Sequence, residues 1–405
     1  MKQIILIFTF LVTIFSIHSQ DLPPISDSAR FSILTCSPGE EVYSKFGHTG
    51  LRVTDMTTNV DLVFNYGIFD FNTDNFILKF VAGETDYLLG VYPTDSFLAE
   101  YALENRIVGE QVLNLTVAEK RKLYHALKVN YLPENKVYRY NFVFDNCATR
   151  PFLKTMESID GVINFDEMGE NKSFRTWISE YTGEFSWTQF GIDLIFGQDA
   201  DQCPSQKESI FLPDVLASEL QTATIISKSG GTRKMVSEHS NLVAKQPTDD
   251  HPNDALISPL FLNIFILVLG ILVTIYGGKF RKARKVFDCT VYALSAFIGI
   301  LILLLMSFSS HPLLGHNYNL LWLNPLNLIP AIIMWNKNLR KVLFFYHIFN
   351  IVLLTSALVV LALSIQVFNI ATLPLVLMLM LRTVKAIDRG RQKLFKRHVL
   401  NKKRW

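Results

Sequence analysis

The second half of the chain contains a series of apolar segments, and these restrict its possible folds more than any other feature of the sequence. Most of the segments approach the ~20 residues that a helix needs to cross a bilayer. They lie at 257–276, 291–308, 320–335, 342–365 and 367–381. We therefore expect a bundle of about five membrane-spanning helices over residues 257–381, in which the third and fifth helices are the shortest.

Charge divides the chain at the same point. From residue 257 onward it has 18 Lys or Arg and 2 Asp or Glu, which leaves 21 basic and 34 acidic residues before that point. The basic residues of the apolar half collect in alternate connections and in the tail, and the positive-inside rule places these segments in the cytoplasm. We expect residues 25–225 to lie outside the cytoplasm and the basic tail, 382–405, to lie inside. The acidic N-terminal half excludes a uniformly basic protein that binds nucleic acid.

Residues 1–20 have the layout of a secretory signal peptide. Lys2 precedes an apolar run, and small residues stand near the end of that run at Ser16 and Ser19. The run is short for a full membrane span, which favours a cleaved signal peptide over an uncleaved anchor. Residues 226–256 are polar and contain Gly, Ser and Pro, so we interpret them as a linker between the two domains.

Residues 25–225 show two kinds of pattern. Runs rich in β-branched and aromatic residues, bounded by turn residues, predict strands of an antiparallel or mixed sheet. Thr116 and Glu119 form a T-x-x-E capping box, which predicts a helix over 117–130. The sequence therefore predicts an α+β outer domain followed by an all-α transmembrane bundle.

Two short motifs in the outer domain carry reactive side chains. His48 lies in the segment FGHTG at the start of an expected strand, and Cys147 lies where an aromatic extended segment enters a helix. Unpaired backbone N–H groups and the positive end of the dipole at a helix start favour a thiolate over a thiol. Because a nearby imidazole can hold the proton, the two residues together predict a Cys nucleophile with a His base.

The order of these residues and their flanking sequences resemble known families. A strand His that precedes a helix-start Cys resembles the circularly permuted papain-like group of the NlpC/P60 and lecithin:retinol acyltransferase proteins. Over about residues 30–215 the chain is similar to the Lnb-type lipoprotein N-acyltransferase family of Gram-negative envelopes. The segments that carry this resemblance are CSPGEEVYSKFGHTGLRV, VFNYGIFDF, FVAGETDYLL, YRYNFVFDNCATR and WTQFGIDLIFGQDAD.

The resemblance implies a permuted papain-like domain in the periplasm, followed by a multi-pass domain in the inner membrane with a cytoplasmic C-terminus. It implies transfer of an acyl chain from a phospholipid to the N-terminal amine of a diacylated lipoprotein, without a cofactor. Cys147, deprotonated by His48, would carry the chain as a thioester. Two other functions stay open: a cell-wall peptidase or amidase of the NlpC/P60 type, and a non-enzymatic envelope sensor.

Further residues of the site are predicted with alternatives. A third catalytic residue that orients His48 is expected among Asn65, Asp61, Glu41 and Asp70. Asn65 is favoured because its strand can pair with that of His48 and because papain-like sites use Asn in this role. Substrate contacts are expected from Tyr66, Tyr140, Asn146 and Arg150. Core packing, helix capping and a solvated surface are the alternative roles of these four residues.

The other cysteines are predicted to play no part in catalysis. Cys36 and Cys203 are the candidates for a disulfide, because three thiols in an oxidising compartment leave one unpaired and a nucleophile must stay reduced. Cys289 lies at the inner end of the second span and is expected to be a reduced thiol. The sequence has no short-spaced pair of Cys or His residues, so we expect no metal site.

Overall fold

A computed structural model of the protein describes residues 22–69, 74–166, 171–183, 185–228, 230–246 and 258–402. The predicted signal peptide, residues 1–20, lies outside these ranges. Asp70 and the second part of the predicted linker, residues 247–256, also lie outside them.

The N-terminal domain is built around an antiparallel sheet. The strands of the described residues are β1 (Arg30–Cys36), β2 (His48–Asp55), β3 (Val60–Ile68), β4 (Asp86–Pro93), β5 (Val108–Leu113), β6 (Val137–Arg139), β7 (Gly161–Asn164), β8 (Thr224–Ser227), β9 (Thr232–Lys234) and β10 (Val236–Val243). Seven form one sheet in the order β10-β5-β1-β2-β3-β4-β6, and β7, β8 and β9 form a smaller sheet. All neighbouring strands are antiparallel. This order places β2, which begins at His48, directly beside β3, which contains Asn65.

Helices cover the sheet and provide most of the connections. In the described part of the domain they are α1 (Phe76–Ala82), α2 (Thr94–Leu103), α3 (Val117–Tyr131), α4 (Thr149–Ser158), α5 (Phe174–Thr182), α6 (Trp187–Ile195), α7 (Gln206–Ser209) and α8 (Pro213–Thr222). The capping box of Thr116 and Glu119 begins α3, as predicted. The main core lies where α3, α4 and α8 pack against the sheet; it includes Phe31, Leu51, Phe64, Leu123, Phe152 and Leu216.

The N-terminal domain extends beyond the predicted boundary at residue 225. The segment predicted to be a linker forms the β8–β9 hairpin, in which Gly230 has a positive φ of 89°. β10 then pairs with β5 at the edge of the large sheet. Gln246 ends this part of the domain, and its N–H donates to Oδ1 of Asn105 at 2.6 Å. The linker prediction is therefore wrong for residues 226–246, because pairing with distant strands outweighs the local preference of Gly and Ser for loops.

The C-terminal half is helical. Its α-helices are α9 (Pro259–Tyr276), α10 (Arg281–Phe308), α11 (Leu328–Ile333), α12 (Arg340–Ala362) and α13 (Thr372–Lys402). Within the described residues, three helices are long and apolar enough to cross a membrane: Pro259–Tyr276, Arg281–Phe308 and Lys337–Ala362. They match the first, second and fourth predicted segments.

The third predicted span, 320–335, is not a continuous helix. It consists of two 3-10 turns, Tyr318–Leu321 and Pro325–Asn327, followed by the six-residue α11. Pro325 and Pro330 lack the backbone N–H that a longer helix would use, so the prediction of one helix is wrong here.

This broken segment nevertheless runs antiparallel to α10. The hydroxyl of Ser295 donates to the carbonyl of Trp322 at 3.1 Å, and the thiol of Cys289 donates to the carbonyl of Ala331 at 3.3 Å. Nζ of Lys285 lies 4.9 Å from the centre of the Trp335 ring, at the far end of the same helix. Irregular backbone is compatible with a membrane where neighbouring protein groups satisfy it, and Ser295 is such a group.

The fifth predicted segment, 367–381, forms the first part of α13, and the helix does not end there. Arg382 follows directly, and its side chain is 1% exposed. Its Nε and Nη2 donate to the two carboxylate oxygens of Asp288 on α10 at 2.7 and 3.1 Å. The predicted boundary at 381/382 falls within this continuous helix, and the buried ion pair with Asp288 accommodates the charge at Arg382.

A network of polar contacts joins the N-terminal domain to the bundle. Arg175 on α5 donates to Asp193 at 2.9 Å and to Asp201 at 2.6 Å. The same two carboxylates accept from the side chain of Asn369 and from the N–H of Val367, which precede α13. One network thus fixes the position of the domain relative to the helices.

Candidate active site

His48 and Asn65 meet across the β2–β3 pair. Gly50, two residues after His48, is the register partner of Asn65, so both side chains lie on the same part of the sheet. Nε2 of His48 hydrogen-bonds with Oδ1 of Asn65 at 2.6 Å. An amide oxygen can only accept, so Nε2 carries the proton and Nδ1 is left for another partner.

Cys147 reaches the same place from a tight loop before α4. Oδ1 of Asn146 accepts from the N–H groups of Ala148 and Thr149 at 2.8 and 3.0 Å, which holds the first turn of the helix. Gly67 on β3 packs against both Cys147 and His48. A Cβ at this position would lie 3.5 Å from Cβ of Cys147 and 3.8 Å from Cε1 of His48. The thiol and the imidazole are therefore neighbours on either side of one glycine.

The electrostatics of the pair favour a charged thiol. Burial alone would raise the pKa of Cys147, but the charge of His48, a hydrogen bond with it and the N–H of Thr49 together hold the pKa of this thiol below its ordinary value. Burial alone would lower the pKa of His48, but the charge of Cys147 and hydrogen bonds with Cys147 and Asn65 together raise it. Both shifts favour a thiolate beside an imidazolium, which is the reactive state of a Cys nucleophile.

Of the described alternatives for the third residue, only Asn65 hydrogen-bonds with His48. Asp61 forms a bidentate ion pair with Arg52, at 2.8 and 2.6 Å, near the opposite end of β2. Glu41 is exposed before the 3-10 turn Val42–Ser44. Of these three residues, Asn65 is the one that the geometry places in contact with His48.

The two tyrosines predicted to contact substrate have different surroundings. Tyr66 is fully buried, and its hydroxyl donates to Oδ1 of Asn130 at 2.8 Å. Side chains alternate along a strand, so Asn65 at the site requires Tyr66 to point into the core, and the prediction for Tyr66 is wrong. Tyr140 does lie beside the thiol: burial, and next the charge of Cys147, raise the pKa of Tyr140 well above its ordinary value.

Asn146 and Arg150 hold the loop rather than present free polar groups. Besides capping α4, Asn146 is buried and donates through Nδ2 to the carbonyls of Phe142 and Phe211. Arg150 forms a bidentate pair with Asp145 at 2.5 and 2.6 Å. The substrate-contact prediction is therefore wrong for Asn146, whose amide is fully occupied, and the guanidinium of Arg150 is paired with Asp145 of the same loop.

The predicted disulfide is also wrong, because all four cysteines are free. Cys36 is fully buried at the end of β1, directly opposite His48 in the register, and burial raises the pKa of its thiol. Cys203 is exposed on the surface. Cys36 lies in a core strand and Cys203 in a surface loop, so their sulfur atoms are not close enough for the short distance that a disulfide needs.

Three aromatic residues of the site were not predicted. The ring of Tyr101 stacks parallel to that of His48, with centroids 6.4 Å apart, and Phe97 lies beside both. Tyr87 stacks on Tyr140 at 4.1 Å, and burial together with the charge of Cys147 raises the pKa of Tyr87 to about 12. The i, i+4 spacing of Phe97 and Tyr101 on α2 is the one sequence signal that indicates a shared face.

Comparison with family models decides the family. The model of the Lnb N-terminal periplasmic domain matches residues 25–180, and the model of the Lnb transmembrane domain matches residues 251–392. The chain belongs to the Lnb family. The N-terminal domain of this Lnb protein is therefore periplasmic, and its C-terminal half is a membrane domain. No curated protein and no solved structure matches the chain.

Family membership indicates a membrane protein of the lipoprotein N-acyltransferase type. His48, Asn65 and Cys147 all lie inside the stretch that the Lnb N-terminal model covers. The Lnb periplasmic domain of this structure is larger than that stretch, because the folded part continues to Gln246.

Proposed function

We propose that the protein moves an acyl chain from a membrane phospholipid to the N-terminal amine of a diacylglyceryl-cysteine lipoprotein, through a thioester on Cys147. The observation that carries this proposal is the contact of Cys147 with an imidazole that Asn65 orients, in a periplasmic domain of the Lnb family. Both substrates are lipids that stay in the bilayer. A domain fixed to a membrane bundle meets them where they are.

In the first step, the thiolate of Cys147 attacks the carbonyl carbon of a glycerol ester in the phospholipid. The new C–S bond forms, and the C–O bond to glycerol breaks when the tetrahedral intermediate collapses. The His48 imidazolium gives its proton to the departing glycerol oxygen, so a lysophospholipid leaves and the acyl chain stays on sulfur.

In the second step, the lipoprotein amine attacks the thioester carbonyl. His48, now neutral, takes the proton that the nitrogen loses, the amide C–N bond forms and the C–S bond breaks. The thiolate and the imidazolium are thereby restored. Asn65 keeps Nδ1 of His48 directed at sulfur in both steps, because its carbonyl oxygen fixes the proton on Nε2.

The oxyanion of each intermediate needs a backbone donor near sulfur. The N–H groups of Ala148 and Thr149 already donate to Asn146. The N–H of Cys147 lies within hydrogen-bonding reach of its own sulfur, and we assign it this role.

We also propose five membrane crossings with a cytoplasmic C-terminus. The segment 320–335 runs antiparallel along α10, which supports a third crossing. The contacts of α13 with α9 support a fifth. Along α13 these contacts run from Ala371 with Asn263 at one end of α9, through Met378 with Gly270, to Arg382 with Thr274. Single cysteines at His316, an exposed residue beside Asp199, and at Lys282 should react oppositely with a membrane-impermeant reagent in intact cells.

The test of the function is N-acylation of a synthetic diacylated lipopeptide by the purified full-length protein in phospholipid nanodiscs, followed by mass spectrometry. Cys147→Ser and His48→Ala should each lose nearly all transfer, and the losses should not add, since the two residues act as one unit. Cys203→Ser is the matched control, because it removes an exposed free thiol outside the site. Full activity of Cys147→Ser would refute the mechanism, and an altered muropeptide profile with unchanged lipoproteins would favour a cell-wall hydrolase.

A further inference from the structure

Helix α1 presents large apolar side chains to the outside of the protein. Leu78 is 69% exposed, and Phe80 and Val81 are also exposed. Val42, in the 3-10 turn Val42–Ser44 that precedes the His48 strand, is 63% exposed, and Tyr43 is exposed beside it. Adjacent apolar side chains with this much exposure, on α1 and again at Val42 and Tyr43, are unusual on a protein surface that faces water. These five residues are called the apolar rim below.

Helix α1, which carries three residues of the apolar rim, lies at the end of a membrane-spanning helix. α10 ends at Phe308, whose side chain is 75% exposed, and the next three residues bind α1. The N–H of Ser310 donates to the carbonyl of Ala82 at 2.9 Å, and the hydroxyl of Ser309 donates to that of Val81 at 2.9 Å. Nε2 of His311 hydrogen-bonds with the carbonyl of Phe80 at 2.9 Å.

These bonds fix the level of α1 relative to the bilayer. The surface that α10 exposes to lipid includes Leu301, Leu304 and Phe308, and the three residues after Phe308 hold the exposed side chains of α1 next to this surface. Lys79 on α1 is exposed as well, and a lysine among apolar neighbours can extend its amine toward lipid phosphates. The partner that fits the apolar rim is therefore the periplasmic leaflet of the membrane that α10 crosses.

A series of aromatic rings leads from the apolar rim to the thiol. Tyr43 contacts Phe69 with centroids 6.2 Å apart, and Phe69 contacts Tyr87 at 5.2 Å. Tyr87 stacks on Tyr140 at 4.1 Å, and the charge of Cys147 acts on both tyrosines. The series thus connects the exposed Tyr43 with the surroundings of the nucleophile through rings in contact.

We propose that the apolar rim inserts into the periplasmic leaflet and that the ring series guides one acyl chain of a phospholipid from that leaflet to Cys147. The insertion does not depend on the function proposed above. The guidance of the acyl chain rests on that function, so the two parts need separate measurements.

Insertion is tested on full-length protein in nanodiscs of phosphatidylethanolamine and phosphatidylglycerol. In a Cys147→Ser/Cys203→Ser background, Leu78→Cys is labelled with an environment-sensitive fluorophore. Met56→Cys is the matched control, because Met56 is 93% exposed in the turn at the other end of β2 from His48. The label at Leu78 should emit at shorter wavelength and be quenched by lipids with a quencher on the acyl chain, whereas the label at Met56 should do neither. Water-like emission at both positions would overturn the insertion.

Guidance is tested with Leu78→Glu in protein that keeps Cys147, with Met56→Glu as the control. Formation of the Cys147 thioester from bilayer phospholipid should fall by about tenfold or more, the order that loss of one buried leucine side chain predicts. Acylation by a water-soluble short-chain ester should stay unchanged, because that donor does not pass through the membrane. An equal loss with both donors, or no loss with either, would overturn the guidance. Absence of any thioester in the wild type would refute the proposed function and leave the insertion result standing.

Discussion

Nε2 of His48 lies 2.6 Å from Oδ1 of Asn65, and this bond leaves Nδ1 as the ring nitrogen available to Cys147. The bond also has an electrostatic effect, since it is one of the interactions that raise the pKa of His48. The first step of catalysis needs the imidazolium, so activity should fall as the pH rises above the pKa of His48. Asn65 helps to set that pKa.

Asn65→Ala should lower N-acyl transfer by about tenfold or more, because the imidazole loses its orientation. In the pH profile of this variant, the alkaline fall in activity should move to lower pH, because the lost hydrogen bond raises the pKa of His48. Asn65→Asp should move the limb the other way, because a carboxylate stabilises the imidazolium. The measurement is the pH dependence of transfer to a synthetic lipopeptide. An alkaline limb that stays in place in both variants would contradict a direct role for Asn65.

Cys147 should react with iodoacetamide at a pH at which an ordinary thiol is mostly protonated, because His48 holds the pKa of this thiol below its usual value. In His48→Ala, burial becomes the dominant influence, so the pH midpoint of alkylation should move upward. Mass spectrometry of the tryptic peptides measures both midpoints, and the exposed Cys203 in the same sample reports any general change in reagent or folding. Equal midpoints for Cys147 in the two proteins would mean that the imidazole does not act on the thiol.

The proximity of Cys147, His48 and Asn65 could be predicted because each residue lies in a recognisable local sequence pattern. A helix-start Cys, a strand His and an Asn that alternates with aromatic residues each carry a short-range signal. The aromatic surroundings were not predictable in the same way. Tyr87 reaches Tyr140 only because β4 pairs with β6, whose sequence is about fifty residues away, and no local pattern indicates that pairing.

The errors in the membrane half have a related origin. Apolar composition indicates depth in the bilayer but not the regularity of the backbone, so the segment 320–335 was predicted to be one helix. Ser295, which lies on another helix, satisfies a backbone carbonyl that the break leaves open. Likewise, only the position of Asp288 explains why α13 can continue through Arg382.

Gly67→Ala should destabilise the periplasmic domain by about 1–3 kcal/mol, since its φ of 91° is strained for any residue with a Cβ. The new methyl would also touch Cys147 and His48, so transfer should fall as well. Gly191→Ala is the control, because nothing lies within 4 Å of a Cβ there and α6 favours alanine. Thermal unfolding of the purified proteins measures the effect. Equal melting temperatures for the two variants would show that the backbone at Gly67 is not constrained.

Arg382→Met should destabilise the membrane domain by about 3–5 kcal/mol, because the buried carboxylate of Asp288 loses its bidentate partner and keeps only Arg389, at 3.7 Å. Arg382→Met/Asp288→Leu should recover much of this loss, since two apolar side chains remove the poorly compensated carboxylate as well as the pair. Lys385→Met is the control, because Lys385 lies about one turn further along α13 and is half exposed. Its ion pair, with Asp388 on the same helix, is long at 3.9 Å. Thermal stability in detergent and the amount of protein accumulated in membranes are the two measurements. If the single and double variants were equally unstable, the ion pair would matter for the position of α13 rather than for compensation of the buried carboxylate.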